Sequence, residues 1–172
     1  MMSRELYKAI NDQINAELWS AYLYLSMSMD CEAKGYKGIA NWFYVQFQEE
    51  QDHARIFMNY LNSRDEKVVL LPIAEVKTEW DTVLDMYKDT LNHERKVTAM
   101  INNIAAIAEH DRDYASINRI TWFIDEQVEE EESAREMIST FEALEGNKYG
   151  MYMIDKELAT RAYVAPSPLA AE

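Results

Sequence analysis

The feature that most constrains this chain is how little it contains that interrupts a helix: four glycines and three prolines in 172 residues. The glycines fall in two pairs, Gly35 with Gly38 and Gly146 with Gly150, and the prolines are Pro72, Pro166 and Pro168. Gly and Pro are the strongest local breakers, so they cut the chain into stretches far longer than any strand. Within these stretches apolar residues recur at helical spacing, which makes the expected fold all-α. A first helix is expected from about Ser3 to Cys31 and a second from about Gly38 to Ser63. Residues 73–145 carry neither breaker, but one helix there would be about 108 Å long at about 1.5 Å per residue. The polar cluster His110-Asp111-Arg112-Asp113 is the natural break into helices three and four. Thr78-Glu79-Trp80-Asp81 fits a Ser/Thr-x-x-Asp/Glu start and places the beginning of the third helix near Thr78. Gly146 stops the fourth, Met151 to Arg161 suits a short fifth helix, and residues 165–172 read as a frayed tail.

The short connections around Lys34 to Lys37 and His110 to Asp113 join antiparallel neighbours. The link from Arg64 to Lys77 reaches roughly 46 to 50 Å when extended, about one helix length. An up-down-down-up four-helix bundle with a long crossover is therefore permitted, though not compelled. At this length the expectation is one domain, residues 1–172, with the bundle at about 3–145.

Seventeen Lys and Arg against 31 Asp and Glu leave a formal charge of −14. A chain that must neutralise phosphates does not have this balance, so nucleic acid is not an expected partner. An anionic membrane surface would repel it, and no apolar run approaches the roughly 18 residues of a membrane span. The opening residues show no signal-peptide pattern, and the expected compartment is the cytoplasm. The single cysteine, Cys31, supports neither an internal disulfide nor a Cys-based zinc site, and reads as a small buried apolar residue.

Chemistry enters where the apolar stripes are interrupted. Helix one runs Leu6, Ile10, Ile14, Glu17, Ala21, Tyr24, and helix two Ile39, Phe43, Gln46, Glu50, His53, Phe57, Tyr60. Helix three runs Val83, Tyr87, Thr90, Glu94, Val97, Ile101, Ile104, Ala108, and helix four Ile120, Phe123, Gln127, Glu130, Ala134, Met137, Phe141, Leu144. Each is the spacing of one buried face, and each is broken by polar residues about halfway along. Helices packed side by side bring their midpoints to one level, so Glu17, Glu50, His53, Glu94, Gln127 and Glu130 should converge in the core. Four buried carboxylates repel one another and lose hydration, at several kcal/mol each unless compensated. Protons can compensate, and so can two divalent cations. Glu oxygens with one imidazole suit iron or manganese better than a thiolate-seeking metal, and Glu50 can bridge two ions. The competing reading places these acids on a solvated face, with the stripes drawn one position off. Glu50-x-x-His53 alone decides nothing; four central interruptions in four stripes weigh more.

These residues resemble the ferritin family, and within it the prokaryotic non-haem ferritins, over essentially the whole chain. The resemblance is carried by Glu17 in Asn-Ala-Glu-Leu-Trp-Ser-Ala-Tyr, by Glu49-Glu50-Gln51-Asp52-His53-Ala54, by Glu94, and by Glu126-Gln127-Val128-Glu129-Glu130. It implies a ferritin-like bundle in which Glu17, Glu50 and His53 hold one iron. Glu50, Glu94 and Glu130 would hold a second, with Gln127 beside it. A third iron is implied at Glu49, Glu126, Glu129 and Glu130, and Tyr24 matches the family's site tyrosine. The implied activity is oxidation of Fe(II) by dioxygen or hydrogen peroxide at a di-iron ferroxidase centre, with Fe(III) stored as hydrated mineral in a homo-oligomeric shell of twenty-four subunits. The alternative is a di-iron oxidase or peroxide-detoxifying bundle without storage, and a further rival is a structural bundle with protonated core acids.

Departures from the wider family narrow the expectation. The helix-four positions read Gln127-x-x-Glu130 instead of a second Glu-x-x-His, and Asp52 stands where haem-binding members have methionine, so no haem is expected. Ile117 and Ile120 occupy positions that are acidic in the three-fold pore of animal ferritins, and Arg55 replaces an acid on the stretch associated there with mineral nucleation. A one-cysteine chain lacks the cysteine-rich iron module of rubrerythrins. His93 lies about 100° around the helix from Glu94 and is expected to pack or face solvent, and His110 to be solvated. Tyr22, Tyr24, Tyr36, Tyr44 and Trp42 are expected to include subunit contacts, and the acid run Asp125 to Glu132 weighs against a plain surface helix.

Overall fold

A computed structural model describes residues 2–169; the end of the expected tail, residues 170–172, lies outside the described residues. Five helices follow one another: α1 (Arg4–Lys34), α2 (Lys37–Ser63), α3 (Val83–His110), α4 (Tyr114–Ala143) and α5 (Lys148–Leu158). The ends have local causes. Ser3 accepts a hydrogen bond from the Leu6 amide at the start of α1, and Gly35 ends it in the left-handed region, φ 85°. A residue with a Cβ is strained at that φ, so glycine is the natural stop. Asp113 accepts from the Ser116 amide to open α4, and Arg64 grips the same carboxylate through both terminal nitrogens. That grip pulls the Asp113 pKa down to about 2.

The start of α3 departs from expectation. Thr82, whose hydroxyl accepts from the Asp85 amide, is the cap, and Thr78 is not. Both threonines satisfy the same local pattern, and a distant contact decides between them. Trp80 is buried, its indole N–H donating to Asp89 Oδ2 at 2.8 Å, and Lys34 donates to its carbonyl oxygen. Trp80 therefore packs into the core at that end of the bundle, and residues 78–81 stay outside the helix. The fifth helix also starts earlier than Met151, because the Asn147 side chain accepts from the Gly150 amide, and it ends at Leu158. Arg161 consequently lies beyond the helix.

The crossover settles the topology. Tyr7 donates to the Lys67 carbonyl, Asn11 exchanges two bonds with Val69, Asn15 accepts from the Leu71 amide, and Ser26 donates to the Lys77 carbonyl. Side chains taken in order along α1 thus meet the backbone of residues 67–77 in order, and the link runs parallel to α1. It returns the chain to the level where α2 began. Ser20 meets His93 while Cys31 meets Met86, so α1 and α3 are antiparallel. Gln46 meets Glu130 while Tyr60 meets Ser116, so α2 and α4 are antiparallel too. The result is the up-down-down-up arrangement. No described helix is long and apolar enough to cross a membrane.

The apolar core is split. One cluster holds Leu6, Ile10, Ile14, Phe57, Leu61, Ile101, Ile104 and Phe123, with Phe57 and Phe123 stacked at 3.9 Å between ring centres. The other holds Met27, Cys31, Ile39, Phe43, Met86, Tyr87 and Phe141. The polar interruptions of the four stripes lie between these clusters, and all are buried. Burial in apolar surroundings pushes the Cys31 thiol up to about 12, so it is not a reactive thiol. Of the aromatic residues expected at subunit contacts, Tyr24 and Trp42 are buried within the chain, whereas Tyr22 and Tyr44 are exposed.

Helix α5 docks on the start of α2, where Tyr36 contributes no side-chain cap. The missing acceptor comes from Asp155, whose Oδ1 receives the amides of Gly38 at 2.8 Å and Ile39 at 3.0 Å. A Cβ on residue 38 would sit 1.5 Å from the Asp155 carbonyl oxygen, so only glycine permits this approach. Gly38→Ala is expected to release α5 while leaving the four-helix bundle folded. Limited trypsin digestion should then cut at Lys156 and Arg161 in the variant and spare both in the parent; equal protection would show that the approach tolerates a methyl group.

Candidate metal centre

Each bundle helix contributes to the polar layer at the point where its stripe is interrupted. Glu17 is 1% exposed, Glu50 and His53 2%, and Glu94 0%. Gln127 and Glu130 are also buried. The reading that put these acids on a solvated face is thereby excluded. Glu17, Glu50 and His53 each offer a ligand atom within 4.8 Å of the others. Glu17 Oε1 accepts from Gln13 at 2.8 Å, but Glu17 Oε2 and Glu50 Oε2 accept no hydrogen bond. His53 Nδ1 stands 3.7 Å from Glu50 Oε2, too far for a hydrogen bond. Buried carboxylate oxygens without donors, facing an imidazole nitrogen, fit a cation.

The other half of the layer is held more tightly. Tyr24 donates its phenolic proton to Glu94 Oε1, and Gln127 donates to Glu94 Oε2 at 3.2 Å and to the Glu94 carbonyl at 3.3 Å. Gln46 donates to Glu130 Oε2 at 2.8 Å. Burial pushes the Glu17 and Glu50 pKa values well above the usual carboxylate range, and repulsion from Glu94 and Glu130 raises Glu50 further. Glu130 is raised to about 8, by burial and then by Glu94. Tyr24 is raised well above 10 by burial and by the surrounding carboxylates, so its phenol keeps its proton. Without cations this layer holds protons; four carboxylates match two divalent ions in charge, and the oxygen-rich set with one imidazole suits iron or manganese.

Beside the layer lies an outer group of acids. Glu49 and Glu126 are half-buried, Glu129 is exposed, and His53 Nε2 is 3.9 Å from Glu126 Oε1. Burial raises both Glu49 and Glu126. His93 does not enter the layer: it bonds Ser20 Oγ at 2.7 Å and packs against the rings of Trp19 and Tyr24. Ile120 is a core residue and Ile117 packs beside it, so neither offers iron a ligand atom. Three residues escaped sequence reasoning. Gln13 supports Glu17 from one turn away, a spacing visible in the sequence. Gln46 was visible as a stripe interruption without a role. Arg161 bonds Glu49 and Gln46, and nothing local announces that.

A helical bundle with a buried carboxylate-and-histidine layer defines a class of metal-binding proteins, and comparison gives the family. Residues 7–144 match the model of the ferritin-like domain. A bacterial non-heme ferritin of Staphylococcus epidermidis is 37% identical over 163 residues, 95% of this chain and 98% of that protein. One from Staphylococcus aureus is 36% identical over the same span. Among solved structures, an open-pore ferritin from the hyperthermophilic archaeon Archaeoglobus fulgidus superposes with a TM-score of 0.93 at 37% identity, covering 94% of this chain and all of that one. The chain belongs to the ferritin family.

Proposed function

We propose that this chain is an iron-storage ferritin subunit with ferroxidase activity. The carrying observation is the pair of donorless buried oxygens on Glu17 and Glu50 beside His53, in a chain whose relatives are named non-heme ferritins. In this reading Glu17, Glu50 and His53 bind one Fe(II), and Glu50, Glu94 and Glu130 bind the second. Gln127 holds Glu94 in place. Two Fe(II) yield two electrons, enough to take one dioxygen and two protons to hydrogen peroxide. The buried acids then face Fe(III) with their full negative charge, and the apolar clusters on either side limit water. Tyr24, already bonded to Glu94, is the proton or electron donor nearest the pair. Glu49, Glu126 and Glu129, with Glu130, form the onward site for a third iron. Fe(III) passes from there to mineral inside a homo-oligomeric shell of twenty-four subunits.

The test is rapid mixing of anaerobically Fe(II)-loaded protein with oxygenated buffer, followed by centrifugation. The expected result is a fast absorbance phase that saturates at a few irons per chain, then continued soluble uptake. A fast phase followed by precipitation would replace storage with a di-iron oxidase lacking a cage, and the absence of a fast phase would remove the ferroxidase reading.

A further inference from the structure

The segment that follows α5 brings a positive charge to the edge of the metal centre. Arg161 Nη2 donates to Glu49 Oε2 at 2.7 Å and to Gln46 Oε1 at 2.6 Å. Its Nη1 donates to the Trp42 carbonyl at 3.2 Å, and its guanidinium lies 4.7 Å from the centre of the Trp42 ring. We propose that Arg161 is a positioning residue of the ferroxidase centre: a built-in counter-cation that occupies Glu49, fixes the amide of Gln46 against Glu130, and must be displaced when iron takes up Glu49. This rests on the ferroxidase reading above.

Two routes connect the guanidinium to the site. One is direct, because Glu49 adjoins the ligand candidate Glu50 in sequence and its charge repels the carboxylates of Glu50, Glu126 and Glu130. The other runs through Gln46. A glutamine amide can present either its oxygen or its nitrogen to a carboxylate, and only the nitrogen attracts it. With Oε1 engaged by Arg161, Nε2 is left to Glu130 Oε2 at 2.8 Å. Arg161 thus sets the sense of a hydrogen bond it does not touch.

The cation is held in place without help from Glu49. Asn41 donates to the carbonyls of Leu158 at 3.1 Å and Arg161 at 2.9 Å, and Asp155 caps α2 in the same docked unit. Further along, Tyr163 donates to Asp52, one helical turn beyond Glu49. Glu49 and Asp52, one turn apart on α2, are therefore both engaged by one short segment. The Arg161 and Glu49 side chains keep 27% and 23% of their surface, so water and ions reach the pair and exchange is feasible. A pair this accessible contributes little to stability, and its main consequence is competition. Once two divalent ions neutralise Glu17, Glu50, Glu94 and Glu130, the charge left on Glu49, Glu126 and Glu129 attracts a third cation, and Arg161 already holds part of it.

The experiment is an anaerobic Fe(II) titration of the assembled protein by calorimetry, comparing the parent with Arg161→Gln and Arg161→Lys. The parent is expected to take up two ions tightly and a third more weakly. In Arg161→Gln the third step should tighten about tenfold, about 1.4 kcal/mol, the second should shift because Gln46 is no longer fixed against Glu130, and the first should be unmoved, whereas Arg161→Lys should stay near the parent because it keeps the charge. A third step that is unmoved or weakened in Arg161→Gln overturns the proposal, and so does equal tightening in both variants. Failure of Arg161→Gln to elute as the parent assembly also overturns it, by making the residue's role that of docking the segment. If the parent binds no tight pair, the ferroxidase reading fails first, an outcome separable from the others because it needs no variant.

Discussion

Replacing Glu50 and His53 together by alanine should remove the fast phase of Fe(II) oxidation, slowing it at least about a hundredfold, since a bound metal's contribution is worth several kcal/mol. Glu50 is the one carboxylate assigned to both irons, and His53 is the one nitrogen in the set. Deleting both leaves the first position with Glu17 alone and the second with Glu94 and Glu130. The fold should persist. Alanine is the best helix former, and removing Glu50 also removes a buried acid whose Oε2 accepts no hydrogen bond. The loss is one of packing, because the His53 ring meets Trp122 and Phe123 edge-on at 5.6 and 5.9 Å. Stopped-flow absorbance after mixing with oxygen measures the rate, and elution volume monitors assembly. A correctly assembled variant that oxidises iron as fast as the parent would move the ferroxidase site elsewhere in the chain.

The residues that carry this argument were legible because the bundle is regular. A stripe stepping by three and four places its members on one face whatever the neighbours do, and every residue of the α3 stripe, Val83 to Ala108, is buried as the spacing requires. An acid within such a stripe is buried by geometry, so Glu17, Glu50, Glu94 and Glu130 could be located before anything was known of their partners. What remained hidden depended on contacts distant in sequence. Thr78 and Thr82 carry the same helix-start signal, and the burial of Trp80 against α3 selects the second. The crossover length allowed the chain to return along α1, but the hydrogen bonds from Asn11 and Asn15 to residues 69–71 are what hold it there. Arg161 was the hardest to foresee. Its position requires α5 to dock on Gly38, a meeting between residues more than a hundred positions apart, and it then acts on a site whose other members all lie within the four bundle helices.

Without metal, the protein should lose stability as pH rises from 6.5 to 8.5, with a fall in melting temperature of roughly 5 to 10 °C, taking about 2 to 4 °C per kcal/mol for a chain of this size. Glu17, Glu50 and Glu130 have folded pKa values raised above the usual 4.5, Glu130 to about 8. A raised value means that the folded chain binds protons which the unfolded chain has released. Their stabilising contribution is therefore complete below the ordinary glutamate value and is lost as pH climbs through the folded value. His93 has the opposite sign, because burial lowers its pKa; its contribution grows up to the ordinary value of 6.5 and is flat above it. Asp113, lowered to about 2, is constant over the whole range. The window above 6.5 is thus dominated by the buried acids, with a smaller loss of the same sign from Cys31 as pH approaches the ordinary thiol value. Divalent ions replace the lost protons as counter-charge, so anaerobic Fe(II) should stabilise most at the alkaline end, by an amount that grows with free metal concentration. Glu130→Gln should flatten the alkaline decline of the metal-free protein and reduce the gain from Fe(II). Thermal melts of the parent and variant, with and without Fe(II), at pH 6.5 and 8.5 provide the check. A metal-free parent that melts no lower at pH 8.5 than at pH 6.5 would mean that the core acids are not held protonated, and the charge argument for two cations would fall with it.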